Sequence, residues 1–260
     1  MPIEPRDTAR RIARPAAFAL AALALAASSA HATILRFDEG RDASTGTLVV
    51  PTASGASPAA DYGDNVTGAA MAVPGGIFTY GDGGEGFTPD VAIDLFTSLA
   101  TPTDPRVRLW QAGYGDLSNV VFSDGPGTGG SPQLSMRFSA APGFLVDLYG
   151  FDLAGFGQDY TIAGVSVVAG ATTLYSASNV VVEGNATGPG HTSIVFATPL
   201  SAQELLVVID LSNLAASIQD NVAVDNVRFG QTPPRTAPEP RALALAALAV
   251  ALASRRRSLR

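Results

Sequence analysis

Between Thr33 and Gly230 the apolar residues alternate with polar ones or gather in runs of four to eight, and Gly, Pro, Asn and Asp bound the runs. Alternation places successive side chains on opposite faces of an extended chain, so such runs predict strands half-buried against a core. Segments of this kind are Thr33 to Phe37, Val91 to Phe96, Val107 to Trp110, Val120 to Phe122, Leu134 to Phe138 and Phe144 to Tyr149. Tyr160 to Val168, Thr172 to Tyr175, Val180 to Val182, Thr192 to Phe196, Leu205 to Leu211 and Val222 to Phe229 continue the series. About a dozen short strands with frequent turn signals predict an all-β fold, a single antiparallel β-sandwich of jelly-roll type. Only Ser201 to Ala216 has enough Leu and Ala to hide a short helix.

Two further apolar runs differ in kind. Ala16 to Ala27 and Ala242 to Ala253 are 12 residues each, rich in Ala and Leu and without alternation. As helices each covers about 18 Å, short of a hydrocarbon core of about 30 Å. Arg6, Arg10, Arg11 and Arg14 precede the first run, and Ala30-His31-Ala32 follows it with small residues at Ala30 and Ala32. This order predicts a signal helix over residues 1–32, cut by signal peptidase after Ala32.

Composition sharpens the division. The chain has 260 residues, 47% of them apolar, with 27 Gly, 18 Pro and no Cys, which excludes disulfide scaffolds and zinc-thiolate sites. All 16 basic residues are Arg, and ten lie before residue 33 or after residue 230. The middle therefore holds 6 Arg against 20 carboxylates, a net of −14 within a chain whose formal charge is −7. Nucleic acid is excluded as a partner on this ground, since it is held by cationic contacts to phosphate. About 198 residues suffice for one core, and an export route without cysteine is consistent with a domain of that size. The predicted organisation is a signal peptide at 1–32, a β-sandwich at 33–230, a Pro-rich tether at 231–240, and a hydrophobic helix with an Arg cluster at 241–260.

The second end carries Pro238-Glu239-Pro240, then Arg241, the apolar run and Arg255-Arg256-Arg257. Proline keeps the tether extended, the Ala/Leu run partitions into a bilayer, and the Arg cluster holds its far end on the cytoplasmic side. Motif, apolar run and basic stop resemble the PEP-CTERM sorting tail of exopolysaccharide-producing Gram-negative bacteria. That resemblance implies processing near Pro238, Glu239 and Pro240 by the membrane-embedded exosortase. It also implies transient association with the inner membrane through the C-terminal helix, and release to the cell surface, outer membrane or extracellular matrix. The body is similar to others bearing this tail in the order from Asp61 through Gly86-Phe87-Thr88-Pro89 to Asp225-Asn226-Val227-Arg228-Phe229-Gly230-Gln231.

Within the body one triplet recurs. Tyr-Gly-Asp stands at Tyr62, at Tyr80 and at Tyr114, against about 0.04 occurrences expected from composition. Two readings are open. The tyrosines, with Trp110 just before the third copy, could stack on sugar rings while the carboxylates accept from hydroxyls. Alternatively Tyr closes a strand and Gly-Asp makes the turn, with Trp110 in the core.

A metal, if present, would be calcium, because oxygen ligands abound and thiolates are absent. Asp38 and Glu39 on the first strand and Asp225 on the last resemble the terminal strands of carbohydrate-binding-module jelly rolls. That resemblance implies a structural calcium shared by Asp38 or Glu39 with Asp225; otherwise Asp225-Asn226 is a bulge. His191 follows Gly188-Pro189-Gly190 and reads as turn chemistry, and no G-x-S-x-G elbow occurs.

The expected function is thus a non-enzymatic surface or matrix protein, with exopolysaccharide or calcium contacts of low affinity. The alternatives are a purely structural or adhesive matrix subunit and a polysaccharide-active hydrolase or lyase.

Overall fold

The computed structural model describes residues 32–37, 40–41, 48–49, 55, 57–58, 60–66, 84–127, 129–185 and 190–233. The signal and sorting segments, including Ala30, Pro238, Glu239, Pro240 and Arg255, Arg256 and Arg257, lie outside the described residues, as do Asp38, Glu39 and Tyr80.

The chain order is β1 (Thr33–Leu35), β2 (Gly40–Arg41), β3 (Leu48–Val49), β4 (Gly84–Glu85), β5 (Val91–Thr97), β6 (Val107–Trp110) and β7 (Val120–Ser123). There follow β8 (Gln133–Ala140), β9 (Leu145–Gly155), β10 (Tyr160–Ala169), β11 (Thr172–Val182), β12 (Thr192–Ala202), β13 (Glu204–Asp210) and β14 (Val222–Thr232). A short 3₁₀ turn at Ala216–Asn221 precedes β14. One sheet runs β12-β9-β14-β1-β4, with β7 also on β14 and β6 on β7; the other runs β11-β10-β13-β8-β5. Every pairing within the two sheets is antiparallel. The all-β sandwich predicted from alternation is the observed architecture.

The alternation acts as expected on β8 and β13. Leu134, Met136 and Phe138, with Leu205, Val207 and Ile209, are fully buried, while Arg137 and Ser139 on β8 and Leu206 and Val208 on β13 are only partly covered. Two predicted strands, at 172–175 and 180–182, are one continuous β11, joined to β10 by the two-residue turn Gly170-Ala171 with Gly170 at φ 56°. The helix allowed for at 201–216 is absent: β12 continues to Ala202 and β13 spans Glu204–Asp210. Its Leu and Val residues face alternately in and out, so pairing with β8 and β10 outweighed local helix propensity.

Strand β14 holds the sheets together. Its inward Phe229 meets Phe138 of the opposite sheet at 5.4 Å between ring centroids. At its end Gln231 and Asp90 clamp reciprocally: the Asp90 N–H donates to Gln231 Oε1 and Gln231 Nε2 donates to Asp90 Oδ2, both at 2.8 Å. The first and last strands are neighbours, with Thr33 opposite Phe229 and Leu35 opposite Val227. Thr33 is fully buried and shares a 2.9 Å hydroxyl contact with Thr88.

Truncating Phe229 to Ala removes the ring that spans the two sheets. The expected cost is about 3–5 kcal/mol of unfolding free energy. Urea denaturation followed by far-UV circular dichroism measures it, and a loss below about 1 kcal/mol would show that β14 is not the packing centre.

Candidate functional site

Three loops meet at one end of the sandwich. They are the β6–β7 hairpin loop at 111–119, the β9–β10 turn at 156–159, and the segment between β11 and β12, described at 183–185 and 190–191. Gly157 N–H donates to the Gly113 carbonyl at 2.9 Å, joining the first two. Gly190 lies so close to Gly115 that a Cβ on residue 115 would stand 1.6 Å from the Gly190 carbonyl oxygen.

A second, smaller core lies beneath these loops on the outer face of the seven-stranded sheet. Tyr114, Leu117, Val120, Phe122, Ala154 and Ala223 are buried there, with Trp110 half-buried against them. Ala154 and Ala223 alternate with Leu153 and Val224, which face the main core, so they point the opposite way. Their small side chains leave room for the ring of Tyr114, stacked on Phe122 at 6.3 Å and edge-on to Phe156 at 5.2 Å. The Tyr114 hydroxyl donates to the Asp220 carbonyl, and burial pushes its phenol pKa up.

The upper surface of this cluster is an aromatic pair. Trp110 meets Phe156 nearly at right angles, centroids 6.3 Å apart, and Phe156 is 39% exposed. Phe156 was not singled out in the sequence; a large aromatic in the Ala-Gly-Phe-Gly-Gln turn, where loop tips are normally polar, was the available signal. Gly113 lets the ring lie down, since a Cβ there would come within 2.6 Å of it. The same three loops carry polar groups. Asp116 Oδ1 lies 2.8 Å from His191 Nδ1, and Asp159 Oδ1 accepts from Gly184 N–H at 3.0 Å and Asn185 Nδ2 at 3.1 Å.

The recurring triplet serves as turn chemistry where it is described. In the first copy Asp64 N–H returns to the Asp61 carbonyl at 3.1 Å, and Gly63 takes φ 89°. In the third, Leu117 N–H returns to the Tyr114 carbonyl at 3.0 Å, and Gly115 takes φ 54°. Glycine is thus the third residue of one turn and the second of the other, so the same triplet makes two different turns. Each Asp then ties down a second segment, Asp64 by accepting Ile93 N–H at 2.6 Å and Asp116 by meeting His191. Burial raises the Asp64 pKa, with Asp94 and Asp61 adding to it.

A shared sugar platform of Tyr62, Trp110 and Tyr114 is therefore corrected. Tyr62 is 5% exposed and stacks on Phe37 at 5.4 Å in the main core, whereas Tyr114 is 3% exposed in the second cluster. Their rings fill cores because each turn directs Tyr inward. Of the three, Trp110 reaches the surface.

Asp225 stands opposite Asp152 of β9, both 4% exposed. Asp152 Oδ1 accepts from Ser193 Oγ at 2.7 Å and from Arg228 Nη2 at 3.1 Å; Asp225 Oδ1 accepts from Asn226 N–H at 2.6 Å. Asn226 has φ 49° and the β14–β9 register shifts beside it, so Asp225-Asn226 is a bulge. Among the described residues no three His, Cys, Asp or Glu side chains are grouped to hold a metal ion. An ionic group lies on β6: Arg108 pairs with Asp104 at 3.0 Å and Asp124 at 3.1 Å, holding the Asp104 pKa down to about 2.

No protein-family model and no curated protein matches this chain. Among the solved structures similar to part of it are two. One is the family 32 CBM from C. perfringens NanJ in complex with galactose, at 10% identity, 55% of this chain, 93% of that chain and a TM-score of 0.29. The other is the Stig cyclase Fisc from Fischerella sp. TAU in complex with (3Z)-3-(1-methyl-2-pyrrolidinylidene)-3H-indole, at 16% identity, 55% of this chain, 75% of that chain and a TM-score of 0.28.

Gly115 and Gly157 both adopt positive φ, 54° and 68°, but a Cβ on Gly157 meets nothing within 4 Å. Gly157→Ala is expected to cost about 1–2 kcal/mol from backbone conformation alone. Gly115→Ala is expected to cost at least about 2 kcal/mol more, because the loops must separate. Denaturation followed by the fluorescence of the single Trp reads both; equal losses would mean that the Gly115–Gly190 contact is dispensable.

Proposed function

We propose that this chain is an exported, non-enzymatic surface or matrix protein that holds glycan weakly at the loop end of its sandwich. The observation that supports this most is the Trp110–Phe156 pair: two rings at right angles, backed by Tyr114 and Phe122, with Phe156 open to solvent. An aromatic face takes the C–H face of a sugar ring, and carboxylates such as Asp116 and Asp159 accept from its hydroxyls. Two rings on a shallow surface bury little of a ligand, so the affinity is low. The net charge of −14 over residues 33–230 favours a neutral glycan; an anionic polysaccharide would need bridging divalent cations. A purely structural subunit is the second reading, favoured by the burial of Tyr62 and Tyr114.

Affinity electrophoresis of the full chain through gels containing neutral galactans and glucans, with alginate as the anionic comparison, tests the binding. Retardation by a neutral glycan, reduced at least fivefold by Phe156→Ala, is expected. Mobility unchanged in every neutral gel would favour the structural subunit.

Delivery is part of the same proposal. The segment from Pro238 to Arg260 is the exosortase signal, and residues 1–32 carry the chain across the inner membrane. The support is the order of motif, apolar run and Arg cluster in the sequence. Glu239→Ala is expected to leave the chain in the inner-membrane fraction. Release equal to that of the unaltered chain would count against processing at this motif.

A further inference from the structure

The two strands that end the sheets on one side of the sandwich differ in chemistry from the rest of the surface. β11 ends the five-stranded sheet and β12 the seven-stranded one, and they meet where Tyr175 and Phe196 pack edge to face at 5.1 Å. No Asp, Glu, Lys, Arg or His occurs from Tyr160 to Val182, nor from Thr192 to Ala202. Other edges are charged. β5 carries Asp94, 3.9 Å from Arg137, and β6 carries Arg108 in its ionic group. Folded proteins commonly guard exposed strand edges with charge or proline. β11 has neither, and among the described residues it pairs with β10 alone.

We infer that β11 is a self-association edge, pairing antiparallel with β11 of a second copy of this chain. Charge selects the occupant. Two bodies of −14 repel each other wherever their carboxylates face, and the repulsion acts over about 8 Å at physiological salt. Contact along β11 brings no ionisable side chain of the strand itself against its copy. The β11–β12 side also presents apolar side chains to cover, with Leu174 36%, Val181 53% and Val195 65% exposed. β12 suits a ladder less well, because its pairing with β9 breaks between Val195 and Leu200 and it contains Pro199, which lacks an N–H.

The geometry limits the ladder. Leu174 is the extra residue of a register shift against β10, and Asn179 takes φ 52°. Between them Tyr175 to Ser178 is a regular stretch of strand. Identical strands paired antiparallel are related by a two-fold axis, which closes the assembly at two copies. A ladder this short gives a weak, concentration-dependent dimer of defined register.

The chain has no cysteine, so one introduced thiol reports one contact. Ser176→Cys and Ser178→Cys place it on exposed positions of β11, and Ala100→Cys, equally exposed in the turn after β5, is the control. Mild oxidation of the full-length proteins should give disulfide-linked dimer from at least one β11 variant, in at least tenfold the yield of the control. Ser176→Lys and Ser176→Glu should each abolish the concentration-dependent dimer in sedimentation velocity, and an equimolar mixture of the two should restore it. Cross-linking no higher than the control, or a dimer unaffected by either charge, would overturn the inference. A mixture that stays monomeric would overturn it as well.

Discussion

A strand can offer only two edges, yet β14 serves three partners. One edge is committed to β9 along most of its length; the other is shared, with Ala223 and Val224 opposite β7 and Val227 to Phe229 opposite β1. The changeover falls at Asp225-Asn226, where the bulge lets Val224 and Val227 both face the core although they are three residues apart. A regular strand would put one of them on the outer face. The bulge costs a residue in left-handed conformation, offset by the Asp225 carboxylate accepting the N–H of Asn226. Because β7 and β1 can both join β14, the chain between β6 and β7 lies over the outer face of the sheet.

That arrangement makes two cores of unequal size back to back across one sheet. The inner one joins the sheets through side chains such as Phe138 and Phe229. The outer one exists because Ala154 and Ala223 are small enough to admit Tyr114 from the covering loop beside Phe122 of β7. Its exposed rim is Trp110 and Phe156, so the aromatic surface follows from how β14 bends. Glycine sets the closeness of the cover at two contacts, Gly115 on Gly190 and Gly113 under the Phe156 ring.

Carboxylates are arranged with comparable economy. Asp147, Asp152 and Asp225 lie on the outer side of the same sheet, nearly buried, and each accepts hydrogen bonds from neighbours: Ser201, Ser193 with Arg228, and Asn226. An unpaired buried carboxylate would be strongly disfavoured, and these serines and the arginine reduce that cost. β11 and β12 themselves carry no ionisable side chain, in contrast to the acidic body around them.

Alternation was sufficient for the fold class, because a period of two is local: Leu134, Met136 and Phe138 reveal an inward face without reference to any other strand. Tyr-Gly-Asp was legible as turn chemistry, but whether its tyrosine faced solvent was not. That depended on which sheet face lay beneath, and two small alanines far along the chain decided it. Phe156 escaped notice for the same reason, since its exposure follows from a loop closing over another segment. The sequence by itself determined a charge-segregated chain with an antiparallel β body, because composition and periodicity are properties of residues in order. The tertiary structure alone decided the shared edge of β14, the second core and the meeting of β11 with β12, because each depends on strands distant in sequence coming to one backbone edge or one sheet face.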